Sequence, residues 1–479
     1  MNERFNFSKM CRLFAKAYHQ DEAVLNNGAT WTYGELYNFI KKEADRLQET
    51  FSNSTERKSV LLYLPSDLRF ITYFFATTTA GHVPFICSLD LKNELVGILQ
   101  NVSAIITTPE GLIHLKRFAD VDKHLVIMAS EAQKVEEQQL VDPVVDPFKN
   151  FVQAHSSGST GEPKVINGVL IKFYEQIQEY KKLGPYQKGD VVLSLAPFGH
   201  MYGTLLGFLV PFYLGLKVKT IPGGVSFVDV LKPEITEKAH VVVSTPLVYQ
   251  FLAEMLAASS LDSTKAFADT RVLVSGCLKL DKKVIQTIRE KLKVQMFEFY
   301  GTTEGLVSSY RNLEVEEQWQ FLSGCEWRLN NENALEIHIY LHEGKEKVWY
   351  DTGDILEVDT LSTPTRFSLH GRCKEFVKIS GVKVFTFEIQ NALKECEEVR
   401  DVVVLPHPTK EEAIALVLLK SDQATGLPKV KAFCRNNLGA SRIPSKFYVM
   451  DQLPRDRVGK LNMRELRETV RLLIEKEES

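Results

Sequence analysis

The sequence predicts an α/β protein with a large N-terminal domain of αβ layers and a small α+β C-terminal domain. Three observations carry that prediction. Apolar β-type runs alternate with amphipathic helical segments through the first three quarters of the chain, the pattern of helices packed on largely parallel sheets. At 479 residues the chain is too long for a single hydrophobic core and has to divide. After about residue 370 the alternation stops, and short β runs and helices make up a unit of roughly 100 residues, an ordinary domain size. The short polar stretch Gly371-Arg372-Cys373-Lys374 reads as the junction, giving domains at 1–371 and 372–479 with a hinge near Lys374.

Along the chain, residues 58–64 (KSVLLYL) read as a buried strand. Ser66 is placed to cap the amphipathic helix that follows to about Thr79, and Gly81 ends it. Residues 134–146 are charged and poorly periodic, a surface excursion. Strands are expected at 191–195, 218–221, 240–244, 271–275 and 294–299, with helices at 246–258 and 281–292. The longest apolar stretch, 204–216, is too short to span a bilayer and contains Pro211, so it reads as a buried helix. In the C-terminal part, 399–405, 413–419 and 446–450 read as strands, 429–437 as a helix, and a charged helix starts at Met463.

Composition excludes several classes. Hydrophobic content of 44% and charged content of 25% are those of a soluble globular protein. A net charge of −3 gives no bulk attraction to nucleic acid or an anionic membrane, so neither nucleic-acid binding nor membrane insertion is expected. The seven cysteines show no C-x-x-C and no zinc-type spacing, which suits a reduced chain. The first residues, MNERFNFSK, lack an apolar signal core; a cytoplasmic location is the expectation.

The densest chemical signal is 155–164, His-Ser-Ser-Gly-Ser-Thr-Gly-Glu-Pro-Lys. Glycines let backbone N–H groups approach an anion, hydroxyls donate to phosphate oxygens, and Lys164 adds a mobile positive charge. This is not a Walker A loop: Gly158 and Gly161 stand only three apart, and Val165 follows the lysine. A flexible Ser/Gly surface loop is the plainer alternative. Downstream, Tyr300-Gly301-Thr302-Thr303-Glu304 offers an aromatic face, a hydroxyl and a carboxylate suited to a hard cation, or simply a strand-to-helix turn. Tyr350-Asp351-Thr352-Gly353-Asp354 sets a carboxylate at an expected strand end, where it could accept from a ribose; an Asp/Gly turn is the alternative. Gly371-Arg372 with Lys378-Ile379-Ser380-Gly381, and Leu453-Pro454-Arg455-Asp456-Arg457-Val458-Gly459-Lys460, complete the set.

Each motif alone is weak. In this order and spacing, SSGSTGEPK, YGTTE, YDTGD, GR with KISG, and LPRDRVGK resemble the successive core motifs of the adenylate-forming superfamily: acyl- and aryl-CoA ligases, peptide-synthetase adenylation domains and firefly luciferase. The likeness runs from about Trp31-Thr32-Tyr33-Gly34-Glu35-Leu36 to the last motif, nearly the whole chain, and is nearest to acyl- and aryl-acid CoA ligases.

The resemblance implies a mobile C-terminal domain hinged at Lys374, and a reaction in which a carboxylate and ATP give an acyl-adenylate and pyrophosphate before a thiol attacks. It implies that Ser156, Ser157, Gly158, Ser159, Thr160, Gly161 and Lys164 hold the β- and γ-phosphates. Tyr300, beside Gly301, would stack on adenine, Thr303 would touch the α-phosphate and Glu304 would bind Mg²⁺. Asp354 and Arg372 would grip the ribose, Lys460 would bridge carboxylate and α-phosphate, and Gly381 would sit at the thiol tunnel. The thiol would belong to CoA or to the phosphopantetheine of a carrier protein.

The chain also departs from the family pattern, at Val165, at Ser275-Gly276-Cys277-Leu278-Lys279-Leu280 and at Phe299, which bears on the acid rather than on adenylation. Pro197-Phe198-Gly199-His200-Met201-Tyr202-Gly203 aligns with the Phe-His-x-Tyr segment of CoA ligases, with His200 as a gate near the carboxylate or a packed core histidine. No acidic residue lies between Pro197 and Pro222 to pair with an α-ammonium, which disfavours a free amino acid. Tyr202, Leu206, Gly276, Cys277, Gly301, Val307 and Ser308 would line a mostly apolar pocket for a fatty or aromatic acid. Three functions follow: a CoA ligase, a stand-alone ligase loading a carrier protein, and a non-catalytic nucleotide-binding relative, disfavoured because Lys460 and Gly381 are both present.

Overall fold

The computed structural model describes residues 11–52, 56–92, 94–141, 143, 146–157, 163–224, 232–258, 265–315, 317–341, 346–373, 375–379, 382–439, 442–455 and 459–478. They form two compact units. One comprises Met1–Cys325, His338–Val348 and Arg457–Gly459; the other comprises Glu326–Ile337, Trp349–Asp456 and Lys460–Ser479.

The first unit holds two sheets. One has the order Leu125–Met128, Ala104–Thr107, Ser59–Tyr63, Val83–Ile86, Asn150–Ser157, Pro163–Val169, parallel except for the final hairpin. The other contains a parallel run Gln295–Thr302, Val272–Gly276, Val241–Ser244, Val191–Ser194, Lys217–Thr220, Glu22–Asn26. Antiparallel strands flank that run: Ala29–Thr32 on one side, Leu306–Asn312 and then Trp319–Phe321 on the other. Strands covered on both faces read as unbroken apolar runs, which is why Val-Val-Val and Val-Leu-Val mark the middle of this sheet.

The α/β class and the expected strands are therefore present, and several local expectations need correction. The helix Leu68–Thr79 is capped by Asp67, whose side chain accepts from Arg69 N at 2.9 Å. Ser66 instead accepts from Phe198 N at 2.9 Å, because a carboxylate held by Arg69 and by Gly223 N is the stronger cap. The apolar stretch expected as one helix is three segments: α-helix Met201–Thr204, a π-turn Leu205–Leu209, and α-helix Val210–Leu214. Pro211 has no N–H to return to residue 207, and the wider turn absorbs the missing bond. Phe208 in that turn meets Phe198 at 5.1 Å and Phe74 at 5.3 Å, edge to face, in the buried centre of the unit.

In the second unit, Val399–Pro406 pairs antiparallel with Ala413–Leu419, which runs parallel to Lys446–Val449. Helices Thr386–Lys394, Gln423–Asn437 and Met463–Glu478 belong to the same unit. The second of these begins well before the expected residue 429: Asp422 caps it through Thr425 N at 3.1 Å, and Gly426 and Pro428 disguise its first turns. No helix among the described residues is long and apolar enough to cross a membrane.

Candidate active site

Four adjacent parallel strands, Val191–Ser194, Val241–Ser244, Val272–Gly276 and Gln295–Thr302, end at one edge of the large sheet. The carboxyl ends of parallel strands are where α/β sheets open a crevice for ligands. Ser244 lies opposite Ser275, and Gly276 opposite Phe299, so the Ser-Gly-Cys motif and the start of the Tyr-Gly-Thr-Thr-Glu motif stand side by side.

Tyr202, 8% exposed, covers this edge from the short helix Met201–Thr204. Its hydroxyl lies 3.1 Å from the carbonyl oxygens of both Ser244 and Val274 and donates to them. Burial pushes the phenol well above its ordinary range, so it stays a donor. The ring packs directly on Gly276, where a Cβ would come within 2.4 Å of Tyr202 Cε2. Cys277 has φ +77°, the left-handed region that favours glycine. Leu206 is fully buried in the π-turn, among the core side chains. His200 caps the helix Met201–Thr204, with Nδ1 accepting from Tyr202 N at 3.3 Å.

The strand carrying Tyr300 does not end at Phe299; it continues to Thr302 and turns back antiparallel through Leu306–Asn312. Gly301 sits opposite Val307, with room for no side chain: a Cβ there would be 1.9 Å from Leu306 O. Thr302 Oγ1 accepts from Gly305 N at 2.9 Å and closes the turn on which Thr303 and Glu304 stand, both half-buried. Val307 and Ser308 are buried, and Ser308 Oγ donates to Tyr300 O at 3.4 Å. The Tyr300 ring meets Trp319 edge-on at 5.8 Å. Phe299 is buried against Tyr180 at 5.3 Å.

Two features of this region escape a linear reading. Glu298 and Arg311 are paired and buried directly behind the Tyr300 turn. Gln176 is a polar residue within the buried stripe Leu170, Phe173, Ile177, Tyr180 of its helix, a pattern that could have drawn notice. Charged and amide residues are so common that only the fold shows which of them lie behind a site.

In the smaller sheet, Ser156 and Ser157 end the strand Asn150–Ser157, opposite Lys164 and Pro163. Gly158, Ser159, Thr160 and Gly161 lie outside the described residues. Lys164 is exposed, and Val165 packs half-buried on the cluster around Leu61, Tyr63 and Phe85.

The second unit holds another part of the predicted set. Asp354, expected at a strand end, lies mid-strand in Glu346–Asp359, opposite Arg372. Arg372 Nε donates to Asp354 Oδ1 at 2.9 Å. Thr352 Oγ1 accepts from Asp354 N at 3.1 Å, after Gly353 at φ +72°. Burial raises the Glu375 carboxyl above its ordinary range, opposed by nearby Arg372 and reinforced by Asp354. Lys460 is half-buried, after Gly459 at φ +86°. Lys374 and Gly381 lie outside the described residues.

No group of three or more His, Cys, Asp or Glu side chains able to hold a metal occurs among the described residues. Mg²⁺ retains waters and takes one or two carboxylates plus substrate phosphates, so a single carboxylate such as Glu304 on a half-buried turn suits it.

A family model described as AMP-binding enzyme matches residues 11–345, and one described as AMP-binding enzyme C-terminal domain matches 388–460. The chain is 24% identical over 446 residues to 4-coumarate-CoA ligase 1 of Narcissus pseudonarcissus, covering 82% of this chain and 78% of that protein. It is 22% identical over 313 residues to the 3,4-dihydroxybenzoate–[aryl-carrier protein] ligase of Bacillus anthracis, covering 64% and 71%. Among solved structures, the anthranilate CoA ligase AuaEII in complex with anthranoyl-AMP superposes with a TM-score of 0.80 at 19% identity, covering 99% of both chains.

Proposed function

The chain belongs to the AMP-binding enzyme family, and from that membership we propose that it activates a fatty or aromatic acid with ATP and passes the acyl group to the thiol of CoA. The reaction class is that of an AMP-forming acid–thiol ligase: carboxylate attacks the α-phosphorus, pyrophosphate leaves, and a thiol displaces AMP from the mixed anhydride. The observation that best supports it is the register that brings Gly276 opposite Phe299, because two separate motifs of the family then flank one sheet edge.

The barrier to the first step is the approach of two anions. Lys164 and the loop from Ser156 to Gly161 are the proposed hold on the leaving phosphates, and Thr303 the contact to the α-phosphate. Mg²⁺, held by Glu304, would neutralise phosphate charge when bound. Asp354 accepts from the ribose while Arg372 fixes its carboxylate. Tyr300 offers its ring to adenine. Lys460 is assigned to the reacting carboxylate and phosphate, and His200, Tyr202, Leu206, Gly276, Cys277, Val307 and Ser308 to the acid. Gly381 is assigned to the thiol step, and Lys374 to the hinge between the domains 1–371 and 372–479.

A carrier-protein thiol is the second reading, favoured by the likeness to the aryl-carrier-protein ligase of Bacillus anthracis. Pyrophosphate exchange over a panel of aliphatic and aromatic acids tests the activation step, and addition of CoA or of a phosphopantetheinylated carrier protein tests the acceptor. At least one acid should drive exchange, and absence of exchange across the panel refutes the enzyme reading.

A further inference from the structure

The turn that carries Thr303 and Glu304 stands at the end of the sheet where its neighbouring strand runs out. Trp319–Phe321 pairs with Ser309 and Tyr310, and Leu322 N reaches Ser308 O at 2.9 Å. One residue further on, Val307 has its N–H and C=O turned to the Gln176 side chain instead. Val307 N donates to Gln176 Oε1 at 3.1 Å, and Gln176 Nε2 donates to the oxygens of Val307 and, at 3.0 Å, Gly305. One side-chain amide thus does the work of a strand, offering an acceptor and two donors along the sheet edge.

The placement is costly unless these bonds are made. Gln176 is 5% exposed, on a helix face otherwise formed by Leu170, Phe173, Ile177 and Tyr180, and a buried amide is tolerated only when satisfied. The turn it holds is irregular, though Thr302 pairs with Leu306 and Gly301 with Val307 across it. Leu306 has φ +58°, the ladder shifts register between Tyr300 and Gly301, and the only side-chain bond within the turn is from Gly305 N to Thr302, among the described residues.

We infer that Gln176 is a positioning residue for the nucleotide: it anchors Gly305 and Val307 and so fixes where Thr303 and Glu304 point. This rests on the proposed roles of Thr303 at the α-phosphate and Glu304 at Mg²⁺. Removing the amide should loosen the turn and weaken Mg²⁺-dependent binding of ATP.

Calorimetric titration with ATP, with and without Mg²⁺, separates the possibilities. Gln176→Met, matched in length but without the amide, is expected to weaken Mg·ATP binding about tenfold and metal-free ATP binding much less. Gln176→Glu keeps an acceptor for Val307 N–H and loses the donor pair, so it should show the same selective loss even if the methionine variant folds poorly. Ile177→Ala loosens the same helix without touching the amide and should leave the Mg²⁺ effect at the wild-type value. The inference is overturned if both Gln176 variants bind Mg·ATP as the wild type does, or if Ile177→Ala reproduces their selective loss. Wild-type protein that binds no Mg·ATP would instead refute the nucleotide reading on which the inference rests.

Discussion

Glu298 and Arg311 face each other across antiparallel strands directly behind the Tyr300 turn, at 0% and 5% exposure, with Arg311 Nε 2.7 Å from Glu298 Oε2. The other carboxylate oxygen accepts from Leu280 N at 2.6 Å, joining the segment after Cys277 to the strand before Tyr300. Burial raises the Glu298 pKa, and Arg311 opposes that shift. A raised carboxyl contributes stability below its unfolded pKa and loses it as pH rises through the folded value.

Arg311→Leu should therefore raise the Glu298 pKa further and strand a buried charge at neutral pH. The expected loss is about 3–5 kcal/mol near pH 8, shrinking toward pH 5 as the carboxyl takes up a proton. Denaturant unfolding of the first unit at several pH values checks this. A deficit independent of pH would show that packing, not charge, sets it.

Tyr202 covers the sheet edge with its ring on Gly276 and its hydroxyl on two strand carbonyls. Tyr202→Ala is expected to cost about 3–5 kcal/mol in stability and to open space beside Gly276. In the acid panel, preference should move toward bulkier or longer acids, with their KM falling relative to that of the best wild-type substrate. An unchanged order of preference would remove Tyr202 from the acid site.

Asp354 is held by Arg372 and by its own turn, ready to accept from a hydroxylated ligand. Asp354→Ala should lower kcat/KM for ATP roughly 10–100-fold, the loss of about 1.5–3 kcal/mol per charge-assisted bond, and leave KM for the acid nearly unchanged. Steady-state kinetics with each substrate varied in turn decides it; equal changes in both KM values would contradict the ribose assignment.

Lys460→Ala should reduce adenylate formation at least 100-fold yet spare thioester formation from a supplied acyl-adenylate. Single-turnover measurement of each half-reaction separates the two. Equal loss in both would reassign the lysine.

Local sequence carried much of this protein. Valine runs, the proline-started helix at Pro246 and the alternation of elements are written in side-chain size and backbone preference, which neighbours along the chain decide. The Tyr300–Glu304 and Ser275–Cys277 motifs were visible for the same reason. The capping residue Asp67 was not, since Ser66 is as good a cap by type and only its bond to Phe198 N, 132 residues away, removes it. Nor were Gln176, Glu298 and Arg311, ordinary polar residues whose importance depends on which strand runs out and which edge is buried. The sequence alone determined the α/β class, the family and the residues available for chemistry. Tertiary structure decided which of them meet, because strand register and burial join residues a hundred or more positions apart, and a buried amide or charge acquires its worth only from the partner the fold brings to it.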